Sequence, residues 1–140
     1  MQVIRRAHLV VAWAFVAGVV LQVFLAGRGV FESSLRFKDH AGWGYMLGMV
    51  VLLLFVLAAV GRLGRRQVLY ALGLWGLIAL QSVFVAIRTD YPIVAALHPL
   101  NGFAIFFVGI AMAREAWAAR EVGQRVETTS TEPATGTATQ

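Results

Sequence analysis

The chain contains no cysteine. That excludes disulfides, thiolate metal centres, iron–sulfur clusters and a cysteine-ligated or covalently attached haem, so any metal chemistry must use His, Asp, Glu, Met or Tyr. Charge is also scarce. Only 14% of residues are Asp, Glu, Lys or Arg, against 59% hydrophobic. This balance is far too apolar for a soluble domain and ordinary for a small polytopic membrane protein. No carboxylate lies inside an apolar run, which argues against a proton-coupled pump or a carboxylate metal centre. A Gly-rich phosphate loop, a nucleophile paired with a base and a His-Glu zinc motif are missing, and a conventional hydrolase with them. The net charge of +5 does not point to nucleic acid, because its cations sit at the ends of apolar runs, where membrane proteins place them.

Four apolar stretches are long enough to cross a bilayer, which needs about 20 residues: Ala7–Gly27, Ala41–Gly61, Val68–Ile87 and Ile93–Ala113. With their helical ends they give predicted spans over 7–27, 34–61, 68–88 and 92–117. Arg62–Gln67 is too short to be a domain linker, so the expectation is one all-α, integral membrane four-helix bundle over 1–120. From about Val122 the composition turns to Thr, Glu, Gly, Pro and Ala, and a disordered tail is expected over 121–140. One side of the membrane would carry Arg5, Arg6, Arg62, Arg65, Arg66, Arg114, Arg120 and Arg125. The other would carry Arg28, Arg36, Lys38 and Arg88, diluted by Glu32, Asp39 and Asp90. The positive-inside rule makes the arginine-rich side cytoplasmic, with both termini and the tail on it. Arg5 and Arg6 before an apolar run resemble a signal peptide, but the run is too long and no small-x-small site follows, so the first span is expected to be retained.

Two hairpins repeat one another. His-x-x-x-Gly-aromatic occurs as His40, Gly44, Tyr45 and again, 58 residues later, as His98, Gly102, Phe103. Upstream, Gln22, Phe24 and Arg28 align with Gln81, Phe84 and Arg88 once one residue is inserted. Such polar matches carry weight because polar residues inside these spans are rare. Both copies run in the same direction, which predicts a duplicated hairpin with a pseudo-two-fold axis along the membrane normal. His40 and His98 would then face each other across that axis, on the second and fourth spans, toward the outer side.

Paired imidazoles inside a membrane bundle suit axial ligation of one six-coordinate iron, a b-type haem held non-covalently. Gly44 and Gly102, one turn on, would let a porphyrin lie against bare backbone. The contrary reading makes the histidines interfacial residues bonded to water or carbonyls, and the glycines close-packing devices. Gln22 and Gln81 either orient the imidazoles or reach a propionate, or they hydrogen-bond helices together. Arg28 and Arg88 either clamp propionates or anchor helix ends by snorkelling. With Ser34 capping the second span and Pro92 opening the fourth, each histidine falls six residues in, about 9 Å from the helix start. Pro99 is expected to bend the fourth helix at His98, with Asn101 bonding the freed carbonyl. Trp43 and Tyr45 are candidates to flank a ring. His8, near the inner end of the first span, is too far away to join the pair. It reads as an interfacial residue with no counterpart in the third span.

The phrases D-H-A-G-W-G-Y-M-L-G and A-L-H-P-L-N-G-F resemble a family of small, uncharacterised bacterial four-span membrane proteins, over about residues 5 to 118. In that family the second helix opens with His-x-x-x-Gly-Tyr and the fourth with Leu-His-Pro-x-Asn. More loosely, the pattern is similar to one half of bacterial haem A synthase, in which the second and fourth helices of a four-helix unit bring His ligands to one haem. That resemblance implies His40 and His98 as ligands and the bacterial cytoplasmic membrane as location. This chain is half the length and lacks the carboxylate near the substrate haem, so only the haem-holding architecture carries over. The reading is an electron-transfer cytochrome or the haem-bearing subunit of a membrane redox complex, not a free-standing enzyme. The alternatives are a cofactor-free accessory subunit docked on a membrane partner, or a small carrier with Gln22 and Gln81 along a polar path.

Overall fold

The structure is a computed structural model, which describes residues 1–131 of the 140, with side chains through Val122. The chain forms α1 (Gln2–Phe31), a 3-10 turn (Ser34–Arg36), α2 (Phe37–Val60), α3 (Arg65–Ala86), a short α4 (Pro92–Ala95) and α5 (His98–Thr131). No strand occurs among the described residues. In hydrocarbon every backbone group needs an internal partner, which a helix supplies whatever the β-branched or glycine content of the segment. Four stretches, Gln2–Phe31, Ser34–Val60, Arg65–Ala86 and Pro92–Val122, are long and apolar enough to cross a membrane. Their outward surface carries exposed Val20, Val23, Phe24, Val56, Leu69 and Phe107, a surface suited to lipid.

Packing follows a ring. α1 packs against α2 and α5, and α3 packs against the same two helices, which leaves α1 opposite α3 and α2 opposite α5. Phe15, Val51, Leu54, Leu74 and Met112 fill the centre and are fully buried. Two contacts set the depth scale. A Cβ on Gly109 would lie 3.1 Å from the Phe15 ring, and Arg66 is ion-paired with Glu115 at 3.1 Å.

The connections are tight. Leu63 N–H donates to the Ala58 carbonyl and Arg62 N–H to the Ala59 carbonyl, the Schellman closure of α2. That places Arg62 at φ 48°, where glycine is usual, and Gly64 follows at φ 100°.

Several sequence expectations change at the helix starts. The cap near the second span is Ser33, whose side chain accepts from Leu35 N–H, and it caps the 3-10 turn that Ser34 opens. The fourth span is not continuous from Pro92. α4 ends at Ala95 and α5 begins at His98, so His98 is the first residue of its helix and His40 stands in the first turn of α2. Pro99 therefore bends nothing. It sits in the first turn of α5, where its missing N–H would have had no intrahelical acceptor. At the arginine-rich end α5 runs on to Thr131, past the change of composition near Val122, through a stretch that includes the helix formers Gln124, Arg125 and Glu127. The remainder of the expected tail, 132–140, lies outside the described residues.

Candidate functional site: a paired-histidine layer

Two corresponding sets of bonds build the layer that holds the histidines. Trp43 Nε1 donates to the Gly18 carbonyl at 2.8 Å, tying α2 to α1. Asn101 Nδ2 donates to the Leu77 carbonyl at 2.8 Å, tying α5 to α3. Trp43 and Asn101 are 58 residues apart, as the two histidines are, and Gly18 and Leu77 are 59 apart, as the two glutamines are. The same link is thus made twice with different side chains. Asn101 spans two helices instead of serving the backbone near Pro99, because the helix break leaves no freed carbonyl there.

On this frame the repeat places each histidine against its own glutamine. His40 Nδ1 lies 3.1 Å from the Gln22 carbonyl oxygen, and His98 Nδ1 lies 3.4 Å from that of Gln81. A carbonyl can only accept, so the proton belongs on Nδ1 and the lone pair on Nε2. For His40 a second contact agrees: Gln22 Nε2, a donor, lies 3.4 Å from His40 Nε2, and it also donates to the His40 carbonyl at 2.9 Å. The rings of His40 and His98 face each other with centres 6.0 Å apart and planes inclined at 58°. Phe37 meets the His40 ring edge-to-face at 6.4 Å.

The glycines one turn on receive the glutamines. A Cβ on Gly44 would lie 3.0 Å from Gln22 Nε2, and one on Gly102 3.6 Å from Gln81 Nε2. Bare backbone at these positions therefore admits an amide. The amide oxygens, Gln22 Oε1 and Gln81 Oε1, are buried and have no partner among the described residues.

The other candidates lie further out. Arg28 donates to Glu32 at 2.8 Å, Arg36 donates to the same carboxylate at 2.7 Å, and Asp39 stands within 3.8 Å of both arginines. Arg88 is exposed and donates to the Val85 carbonyl. Tyr45 is 75% exposed and turns outward, so it does not flank the rings. The two hydrogen-bonded guanidiniums, Arg28 first and then Arg36, hold the Glu32 carboxyl below its ordinary range.

Sequence reasoning also missed the setting of His8, which it gave no counterpart in the third span. His8 is not interfacial but fully buried, and its counterpart at the 59-residue offset is Gln67, also buried. That spacing, already visible in Gln22 and Gln81, was the signal for it. Among the described residues no group of three or more His, Cys, Asp or Glu side chains forms a metal site.

Fold and site together define a multi-pass membrane four-helix bundle with two histidines opposed across its axis. Residues 22–88, just under half of the chain, match the profile of a family of unknown function (DUF6220). The match includes Gln22, His40, Gly44 and Gln81 and stops before His98. No curated protein and no solved structure matches the chain.

Proposed function

We propose that this protein binds one non-covalent haem b between His40 and His98 and carries single electrons, alone or as the haem-bearing subunit of a membrane redox complex. The observation that supports it is the ring separation. His40 and His98, on the opposed helices α2 and α5, bring their imidazoles together with ring centres 6.0 Å apart. Both rings also turn Nδ1 to a backbone carbonyl, the outer support that fixes a ligating histidine's tautomer and orientation. His40 and His98 would hold the haem iron, each through the Nε2 lone pair that its Nδ1 bond to a carbonyl leaves free, with Gln22 and Gln81 as positioning residues. At His40 the Gln22 amide has to leave Nε2, and it keeps its bond to the His40 carbonyl. Arg88, free of carboxylates, is the better propionate partner, since Arg28 is engaged by Glu32 and Asp39. When bound, the haem would supply reversible one-electron exchange. The arginine-rich end is cytoplasmic and the membrane is the bacterial inner membrane, as charge bias and the family resemblance suggest.

The protein purified from haem-replete cells should show a Soret band with sharp α and β bands, lost in His40→Ala and in His98→Ala. Colourless protein at full yield rejects the proposal. If elemental analysis also finds no metal and a membrane partner co-purifies, the cofactor-free accessory reading takes its place, with the Gln22 amide as the resident partner of His40.

A further inference from the structure

A second polar layer lies at the inner end of the bundle, remote from the paired histidines. His8 is fully buried, and neither ring nitrogen has a partner among the described residues. Gln67 is 4% exposed; its Nε2 donates to the Met112 carbonyl at 3.4 Å, while its Oε1 is buried and unpartnered. The amide orientation is fixed, since only the nitrogen can face a carbonyl oxygen. His8 and Gln67 are repeat equivalents on α1 and α3, the helices that oppose each other across the axis. They also share a depth. Counting inward from Phe15 beside Gly109, and across from Arg66 beside Glu115, puts both within about one helical turn of the same level.

The layer therefore offers one ring N–H, one ring lone pair and one amide oxygen, all in apolar surroundings where unpaired polar atoms are costly. A ligand with only a carbonyl would satisfy the N–H and leave both acceptors, the ring lone pair and Oε1, unpaired, whereas a hydroxyl leaves one of them. A cation would have to enter a layer beside which the Glu115 carboxylate is already paired with Arg66. A hydroxyl both accepts and donates. We propose that His8 and Gln67 form a binding site for one hydroxyl group, its oxygen accepting from the His8 ring N–H and its hydrogen donated to Gln67 Oε1. Water and the hydroxyl end of a membrane lipid share this chemistry. The site lies about 21 Å along α1 from Gln22 and does not rest on the haem reading.

The test is thermal unfolding in detergent of the full chain, wild type and variants. His8→Phe and Gln67→Leu should each lower Tm by about 4 °C, and the double variant should fall little further than either, because both residues hold the same hydroxyl. His8→Gln, which keeps a donor and an acceptor, should recover most of the loss. Unchanged or raised Tm in the single variants, or losses that simply add, overturns the site. Mass spectrometry of a solvent extract separates the sources. A hydroxyl-bearing lipid present at one per chain in the wild type and absent from the double variant identifies the lipid, whereas its absence with the coupling intact identifies water. Independently of any variant, the His8 ring N–H proton in labelled wild-type protein should resonate at a hydrogen-bonded shift, and a free value overturns the site.

Discussion

At the scale of single residues, the outer layer is held by contacts that tolerate little added volume. A Cβ on Gly29 would meet three Phe37 ring carbons at 2.6, 2.7 and 2.8 Å, and Phe37 in turn packs edge-to-face on His40. A ring cannot yield as the tip of a flexible side chain can, so Gly29→Ala should push Phe37 toward the imidazole. Overpacking of this kind costs about 1–3 kcal/mol, and alanine's better helix propensity returns at most about 1 kcal/mol of it. Histidine NMR of the variant should show a shifted His40 signal and an unchanged His98, with a lower Tm; a variant as stable as wild type would remove Phe37 as a constraint on the site. Glu32 makes a different kind of prediction. Its carboxyl is held below the ordinary value of 4.5 by Arg28 and Arg36. A group depressed on folding stabilises fully above its unfolded pKa and ceases to do so as pH falls through the folded one. The wild type should therefore lose Tm on acidification below about pH 4.5 more steeply than Glu32→Gln, and 1 M salt should shrink the difference because the cluster is exposed. Identical acid profiles would assign the cluster no share in stability.

At the scale of helices, the two halves of the repeat are joined by the same link made from different chemistry, Trp43 to Gly18 in one and Asn101 to Leu77 in the other. An interhelical hydrogen bond in a membrane is worth about 0.6–1.7 kcal/mol. Asn101→Leu should lower stability by roughly that amount, read as reduced resistance to unfolding in detergent. Pro99→Ala, two residues away, should be nearly silent, because α5 starts at His98 and the first turn has no acceptor for the restored N–H. A large effect at Pro99 with none at Asn101 would restore a kinked, continuous helix from Pro92. Such a helix is what the sequence suggests, since the apolar stretch from Ile93 to Ala113 is long enough to span a bilayer and a proline inside it reads as a kink. The break at residues 96–97 depends on tertiary packing, which Asn101 and Leu77 reveal only once they are seen together.

For the molecule as a whole, the arrangement of spans was legible in the sequence because hydrocarbon thickness dictates span length and charge scarcity marks its limits. The approach of His40 to His98 was legible for a related reason. A parallel duplication forces equivalent residues to opposite sides of one axis, and α2 and α5 do stand opposite each other. The inner layer was not legible, because its second half is Gln67, a residue type that gives no chemical signal of its own. The partners of Arg28 were likewise not legible, since whether a guanidinium at a helix end meets a carboxylate depends on how Glu32 and Asp39 fold back on it. Orientation is the global property that the bundle leaves to experiment, and the chain's lack of cysteine makes that experiment clean. Ser34 is exposed at the outer turn and Val122 at the inner end of α5, so single cysteines there report opposite sides without background. If arginine clustering sets the topology, Ser34→Cys should react with a membrane-impermeant maleimide in spheroplasts. Val122→Cys should react only after the membrane is permeabilised. The reverse pattern would put the paired histidines near the cytoplasm, while labelling of both sites in sealed cells would mean a mixed topology that no single charge bias can produce.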